Sequence, residues 1–267
     1  MVPAIVSMGM AVTVEAQRGR LAILILALSA FAVLLFSRPA IPQDVAYHHM
    51  ADTRRAFGVT NGLNVLSNVP FALVGVFGVI GVARRCAWEG EHDPRRRGPH
   101  FVLFGGMALT AIGSGYYHLA PDNARLLWDR LPMACVCAGL VVVVLAECVS
   151  ARAARRLFLP ILASAVASVG YWRWSELHGA GDLRPYAFVQ YGSLLVIALI
   201  LALFAGRHRG ERYLIAGLLA YGVAKAFEMA DAFVFAITRH AVSGHTIKHL
   251  IAAAGLACIA AATQPRA

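Results

Sequence analysis

Charged side chains are scarce in this 267-residue chain, and their scarcity excludes an ordinary soluble domain. They make up 14% of the residues, whereas soluble domains contain about 25%. Hydrophobic residues make up 59%, and the mean hydropathy is +0.66. We therefore interpret the chain as an integral membrane protein.

Lysine is nearly absent, because the 24 basic residues include only Lys225 and Lys248. The arginines lie mostly in short loops between apolar runs, where basic residues determine membrane orientation. The net charge of +10 therefore does not indicate a nucleic-acid partner, and we expect none. Both lysines fall inside apolar segments, where a charge is costly and usually functional.

Cysteine patterns typical of metal or redox sites are also missing. The five cysteines form no Cys-x-x-Cys pair. Most of them lie in or beside apolar runs, so we interpret them as small core residues and expect no structural disulfide. They are Cys86, Cys135, Cys137, Cys148 and Cys258.

Apolar runs long enough to cross a bilayer predict an all-α membrane protein with about eight spans. The first run, 21–36, is short, and a signal peptide is the rival interpretation, but we favour a retained helix. We divide the chain into an N-terminal extension, 1–39, and a membrane domain, 40–267. The remaining predicted spans are 62–83, 101–119, 133–148, 157–171, 186–205, 213–235 and 245–262.

The distribution of arginine predicts the orientation of these spans. The loops that share a side with the termini carry more arginine than the opposite loops, so both termini are expected in the cytoplasm. The arginine and alanine bias suits a GC-rich bacterial genome, so we expect a bacterial inner membrane. The third span then ends, and the eighth begins, in the same outer layer, which places His118 near His245.

Three histidines from this layer are candidate metal ligands. His245 and His249 are four residues apart and share one helix face, and His118 is the best third ligand. Three imidazoles with an open fourth position are typical of hydrolytic zinc sites, so we expect Zn²⁺. Two alternatives stay open: histidines that only bond neighbouring helices, and a haem held by two of them.

Ser114 and Asp129 are the candidate catalytic residues. Ser114 precedes His118 by four residues, so both side chains lie on the same face of the helix. Its hydroxyl could stabilise an oxyanion. The alternative is a hydroxyl that only bonds a carbonyl oxygen of its own helix. Asp129 lies near the start of the fourth span. It could act as general base and then acid, orient a histidine, or merely cap the helix.

Five further polar residues are candidates for supporting the metal ligands or contacting a lipid headgroup. Lys225, Glu228 and Asp231 are spaced three apart on the seventh predicted span, so neighbouring pairs share a face. We predict a Lys225–Glu228 ion pair, with Lys248 close to Glu228 or Asp231. The fifth candidate is Asp52, in a loop with Tyr47-His48-His49 that we interpret as solvated, with capping of the site as the alternative.

The combined motifs resemble the alkaline ceramidases of the CREST superfamily of membrane hydrolases. They are Ser114-x-x-x-His118, Asp129 followed by Leu131-Pro132-Met133, and His245-x-x-x-His249. The stretch Asn64-Val-Leu-Ser67-Asn68 also resembles the first core helix of that family. The similarity extends from about residue 47 to the end of the eighth span.

This resemblance implies a seven-helix core preceded by one added helix. It implies zinc held by the three histidines, with Ser114 and Asp129 beside it, and hydrolysis of a ceramide-like amide to a long-chain amine and a fatty acid. The chain departs from eukaryotic members because Asp52 alone offers few oxygen ligands for calcium, and because Lys248 replaces an aromatic residue. It is more similar to bacterial members.

We therefore expect a zinc-dependent enzyme that hydrolyses the amide of a membrane lipid. The alternative from another class is a non-catalytic lipid receptor or sensor that uses the same site. A haem-binding electron carrier is the third interpretation.

Overall fold

A computed structural model describes residues 2–89, 94–206 and 210–263, and in these residues the chain is helical without a named strand. Of the arginines behind the predicted orientation, Arg207, Arg209 and Arg266 lie outside the described residues. The helices are α1 (Val2–Phe36), α2 (Gly62–Leu66), α3 (Val69–Glu89), α4 (Pro94–Leu119), α5 (Asn123–Cys148), α6 (Ala151–Leu177), α7 (Arg184–Leu203), α8 (Glu211–Met229), α9 (Asp231–Ile237) and α10 (Gly244–Thr263), with one 3₁₀ turn at Val45–His48.

Six of the described helical stretches are long and apolar enough to cross a membrane, and the bent pair α8–α9 makes a possible seventh. The predicted third span corresponds to α4, whose 26 residues are sufficient in length. Helix α4 is not among those six stretches, and its C-terminal half carries the polar residues Thr110, Ser114 and His118. The prediction of an all-α membrane protein is confirmed, and the helices are consistent with about seven to eight spans, where we expected about eight.

Helices α3, α4, α5, α7, α8 and α10 close into a ring, and α6 packs on the outside against α5 and α7. Helix α1 also lies outside, along α7, where the Phe31 ring stacks on Phe188 with centroids 5.8 Å apart. Within 15–36, where the side chains of α1 are described, most of the large apolar ones face outward, as in a helix surrounded by lipid. Its assignment to a separate extension, 1–39, stays a prediction.

The seventh predicted span is broken, contrary to the expectation of one continuous helix over 213–235. Helix α8 ends at Met229, α9 begins at Asp231, and their axes differ by 76°. The first turn of α10 packs into this bend. A Cβ on Gly244 would lie 2.3 Å from the carbonyl oxygen of Phe227, so only glycine allows this approach.

The cysteines offer no cross-link among the residues described. Cys135, Cys137 and Cys258 are free thiols. The side chain of Cys86 lies outside the described part of the chain.

Helices α4 and α5 approach closely at a glycine beside the candidate site. A Cβ on Gly113 would lie 2.0 Å from the carbonyl oxygen of Trp128. Ser114 follows Gly113 on α4, and Asp129 follows Trp128 on α5. The backbone contact therefore brings these two candidate catalytic side chains together.

We expect Gly113→Ala to destabilise the protein by about 1–3 kcal/mol, because the new methyl group must push α4 away from α5. Gly105→Ala on the same helix is the matched control, since a Cβ there meets nothing within 4 Å. Thermal unfolding in detergent should show a lower Tm only for Gly113→Ala. Equal melting temperatures for the two variants would contradict this packing.

Candidate metal centre

Three buried histidines from two helices meet inside the bundle. His118 lies at the C-terminal end of α4, and His245 and His249 lie in the first two turns of α10. Their candidate ligand nitrogens all lie within 4.8 Å of one another. The sequence prediction that these three residues converge is confirmed, and together they can hold a metal ion.

The spacing of two of these nitrogens fits a tetrahedral ion. His118 Nε2 and His245 Nε2 are 3.3 Å apart. Around zinc, with Zn–N distances of about 2.0–2.1 Å, tetrahedral geometry separates two nitrogen ligands by about 3.3–3.4 Å. Imidazoles at this distance repel when both are protonated, so the pair favours neutral rings with their lone pairs directed at a shared cation.

Ser67 orients His249. The Ser67 hydroxyl lies 3.1 Å from the carbonyl oxygen of Asn64, to which it donates, and 2.7 Å from His249 Nδ1. Because its single proton is used on the carbonyl, the hydroxyl accepts the Nδ1 proton of His249. This tautomer leaves the Nε2 lone pair of His249 free to bind a metal.

His118 is oriented by Met50, in the loop before α2, and by Asn61, the residue at the N-terminal boundary of α2. Its Nδ1 atom lies 3.1 Å from the sulfur of Met50, a weak acceptor. Asn61 donates from Nδ2 to the His118 carbonyl oxygen at 2.8 Å. Both contacts hold the end of α4 in place and leave Nε2 of His118 facing the other histidines.

Asp231 positions His245 through its backbone. One Asp231 oxygen accepts the His245 N–H at 2.7 Å, and the other accepts the Ala51 N–H at 2.9 Å. The bend between α8 and α9 places this carboxylate at the first turn of α10. Asp231 therefore supports the backbone of a candidate metal ligand. The prediction that Asp231 shares a helix face with Glu228 is wrong, because the bend separates the two residues.

Asn64 joins the same structure from α2. It is fully buried, donates to the Asp52 carbonyl oxygen at 2.9 Å, and accepts from the Thr246 hydroxyl at 3.1 Å. Sequence reasoning assigned no role to Asn64 or Ser67, although both are polar residues at the start of an apolar span. That placement was the signal that could have found them.

Ser114 and Asp129 are buried and line the same cavity as His249. The N-cap of α5 is Asp122, whose carboxylate accepts the Arg125 N–H at 2.7 Å. The capping interpretation of Asp129 is therefore wrong, because another aspartate occupies that position.

Two lysines share one carboxylate at the cavity wall. Lys225 pairs with one Glu228 oxygen, which confirms the predicted i,i+3 ion pair, and Lys248 donates to the other at 2.9 Å. Lys248 Nζ also lies 3.3 Å from His245 Nε2. Of the two partners considered for Lys248, the structure selects Glu228.

Asp52 faces Arg54 instead of the histidines. The Arg54 guanidinium donates from Nε and Nη2 to the two carboxylate oxygens at 2.8 and 2.7 Å. This hydrogen bonding lowers the pKa of the Asp52 carboxyl group. Arg54 also donates to the Ala241 carbonyl oxygen at 3.2 Å, so the pair braces the loop before α2 against the loop before α10.

A cavity of about 300 Å³ extends from the metal centre into the bundle. Its polar end is formed by His249, Ser114 and Asp129 with the charged residues of α8 and α10. Apolar residues from α5, α7, α8 and α10 form the rest of its wall, among them Leu140, Ile197, Leu218, Leu256 and Ile259. This size and lining are typical of a small-molecule or lipid-chain site.

Tyr47 and Arg130 also line this cavity, and for Tyr47 this agrees with the capping alternative considered for its loop. The interpretation of Tyr47-His48-His49 as a solvated loop does not hold for its first two residues. Tyr47 lines the cavity, and His48 bonds the Tyr117 hydroxyl and the Asn123 side chain, each at 2.9 Å. The loop therefore caps the site.

A scan against protein-family models gave no match, and no curated protein matches the chain. The resemblance to alkaline ceramidases therefore rests on the sequence motifs alone and stays a prediction.

We expect Ser67→Ala to weaken Zn²⁺ binding by about 10- to 100-fold, because His249 loses the group that sets its tautomer. Competition with a chromogenic chelator measures this affinity. Ser164→Ala is the control, since Ser164 is exposed and bonds only its own helix, at the Pro160 carbonyl oxygen. Unchanged affinity in Ser67→Ala would show that Ser67 does not orient a ligand.

Proposed function

We propose that the protein is a zinc-dependent amidase that hydrolyses ceramide or a ceramide-like lipid amide within the membrane. The observation that carries this proposal is the buried group of His118, His245 and His249, of which His249 lines the polar end of a largely apolar cavity. Ser114 and Asp129 line the same end. A metal ion held there supplies Lewis-acid polarisation of a carbonyl group and acidifies water.

The arrangement of the ligands supports a single ion over a haem. A haem held by two histidines needs opposed imidazoles with a flat slot between them. Here three imidazoles surround one point, and the third ring stands where the macrocycle would lie. Three nitrogens with no cysteine among them match the ligand set of catalytic zinc sites.

Asp129 is the proposed general base and acid. Its carboxylate lies at the cavity wall in a water-poor setting, where it can take a proton from the attacking water and later deliver it to the leaving amine. Ser114 lines the cavity together with this carboxylate. Its hydroxyl can donate to the carbonyl oxygen as negative charge develops there.

The walls of the cavity support a lipid as substrate. The acyl chain would lie along the apolar part formed by α5, α7 and α10, with its amide at the histidines. The arginine distribution supports cytoplasmic termini and a site that opens toward the outer leaflet of a bacterial inner membrane. Substrate would reach the cavity from that leaflet.

We expect His245→Ala to lose bound zinc and activity, and Asp129→Asn to keep zinc while losing about 10²–10⁴-fold in kcat. Metal content is measured by mass spectrometry, and hydrolysis of ceramides by liquid chromatography. His178→Ala is the control, because this exposed histidine bonds only the Trp174 carbonyl oxygen of its own helix.

Full zinc occupancy in His245→Ala would overturn the ligand assignment. A zinc-loaded wild type that turns over no lipid amide or ester would favour the receptor alternative. Full activity in Asp129→Asn would remove Asp129 from the mechanism.

A further inference from the structure

Arg130 is a buried cation beside the proposed general base, and the proposed mechanism does not use it. It is only 6% exposed and lines the cavity together with Asp129. Its guanidinium carbon lies 4.3 Å from the ring centroid of Trp172, 5.0 Å from Tyr186 and 5.7 Å from Tyr47. Three aromatic rings therefore hold the guanidinium plane in a fixed place.

The hydrogen bonds of this guanidinium are incomplete. Nη2 donates to Gln43 Oε1 at 2.6 Å, a neutral acceptor. In the part of the chain that the structure describes, Nη1 has no acceptor, and no carboxylate lies within ion-pair distance of Arg130. Aromatic rings offset part of the charge, but they do not accept the two N–H groups of Nη1, which lie in the guanidinium plane.

The charges around the polar end of the cavity are also unbalanced. Three cationic side chains, Arg130, Lys225 and Lys248, line it with two carboxylates, Asp129 and Glu228. Both lysines pair with Glu228, which leaves Arg130 as the cation without an anionic partner among the described residues. A metal ion at the histidines would add further positive charge. An anionic ligand is the natural complement of this end of the cavity.

We propose that Arg130 binds a carboxylate carried by the amine part of the substrate, so that the preferred substrates are N-acyl amino acids or similar acidic lipid amides. This inference rests on the proposed amidase function, and within the wider class of lipid amides it favours acidic amine parts over the neutral headgroup of ceramide. A guanidinium matches a carboxylate with two parallel hydrogen bonds, which a neutral headgroup does not provide.

The position of Arg130 assigns the anion to the amine part. Along α5, Arg130 precedes the residues Met133, Val136, Cys137 and Leu140, which line the apolar part of the cavity. Arg130 is also held by Gln43 and Tyr47 of the loop that caps the site. With the acyl chain in the apolar part and the amide at the histidines, the leaving amine lies on the side of Arg130.

The test compares two amides with the same acyl chain, N-oleoylglycine and N-oleoylethanolamine, on the full-length zinc-loaded protein in neutral nanodiscs. We expect wild type to favour N-oleoylglycine. Arg130→Met should lower kcat/KM for N-oleoylglycine by about 10- to 100-fold, mainly through KM, because one charge-assisted hydrogen-bond pair is lost. N-oleoylethanolamine should change by less than about 3-fold, since it makes no charged hydrogen bond.

Two further variants serve as controls. Arg130→Lys keeps the charge and should retain part of the preference for N-oleoylglycine. Arg125→Met removes another arginine of α5, one that pairs with Asp122 and stacks on Tyr116, and should leave the preference unchanged.

Equal losses for both amides in Arg130→Met would show a structural role and overturn the inference. If oleate inhibits Arg130→Met more weakly than wild type while the discrimination between the two amides is unchanged, Arg130 binds the carboxylate of the fatty-acid product. That result would also overturn the inference. If Arg130→Met does not fold, the kcat/KM values of wild type for the two amides test the proposal. Equal values would contradict it.

Failure of the amidase function is distinguishable from failure of this inference. If wild type hydrolyses neither amide, equilibrium binding of the same two lipids replaces turnover. Tighter binding of N-oleoylglycine that is lost in Arg130→Met would support the anion site without catalysis. Equal binding of the two lipids would overturn it.

Discussion

The first turn of α10 is the part of the structure on which the rest of the site depends. It must place two imidazoles inside an apolar bundle, where every polar group needs a partner. Asp231 accepts the His245 N–H, Asn64 accepts the Thr246 hydroxyl, and Ser67 holds the ring of His249. Residues from α2 and α9 thus supply the hydrogen bonds that water would supply in a soluble protein.

The bend between α8 and α9 makes this arrangement possible. A straight helix would carry Asp231 along the axis of α8, away from the start of α10. The 76° change of direction at Ala230 turns its carboxylate toward the His245 N–H and opens the space that Gly244 enters.

The polar end of the cavity combines two electrostatic arrangements. On α8 and α10, one carboxylate compensates two lysines, which is the usual solution for buried charge. On α5, aromatic rings surround Arg130 without neutralising it. The first arrangement stabilises the bundle, and the second leaves a cation available to a ligand beside Asp129 and Ser114.

The sequence alone determined the membrane class, the helical content, the three histidines and the Lys225–Glu228 pair, because hydropathy and helical periodicity are local properties. The tertiary structure decided what depends on distant contacts. It broke the span at Ala230, moved Asp231 to His245, paired Asp52 with Arg54, and brought Ser67, Asn64, Tyr47 and Arg130 to the site. No periodic pattern encodes these contacts, since most join residues far apart in the chain and the Asp52–Arg54 pair lies in an irregular loop.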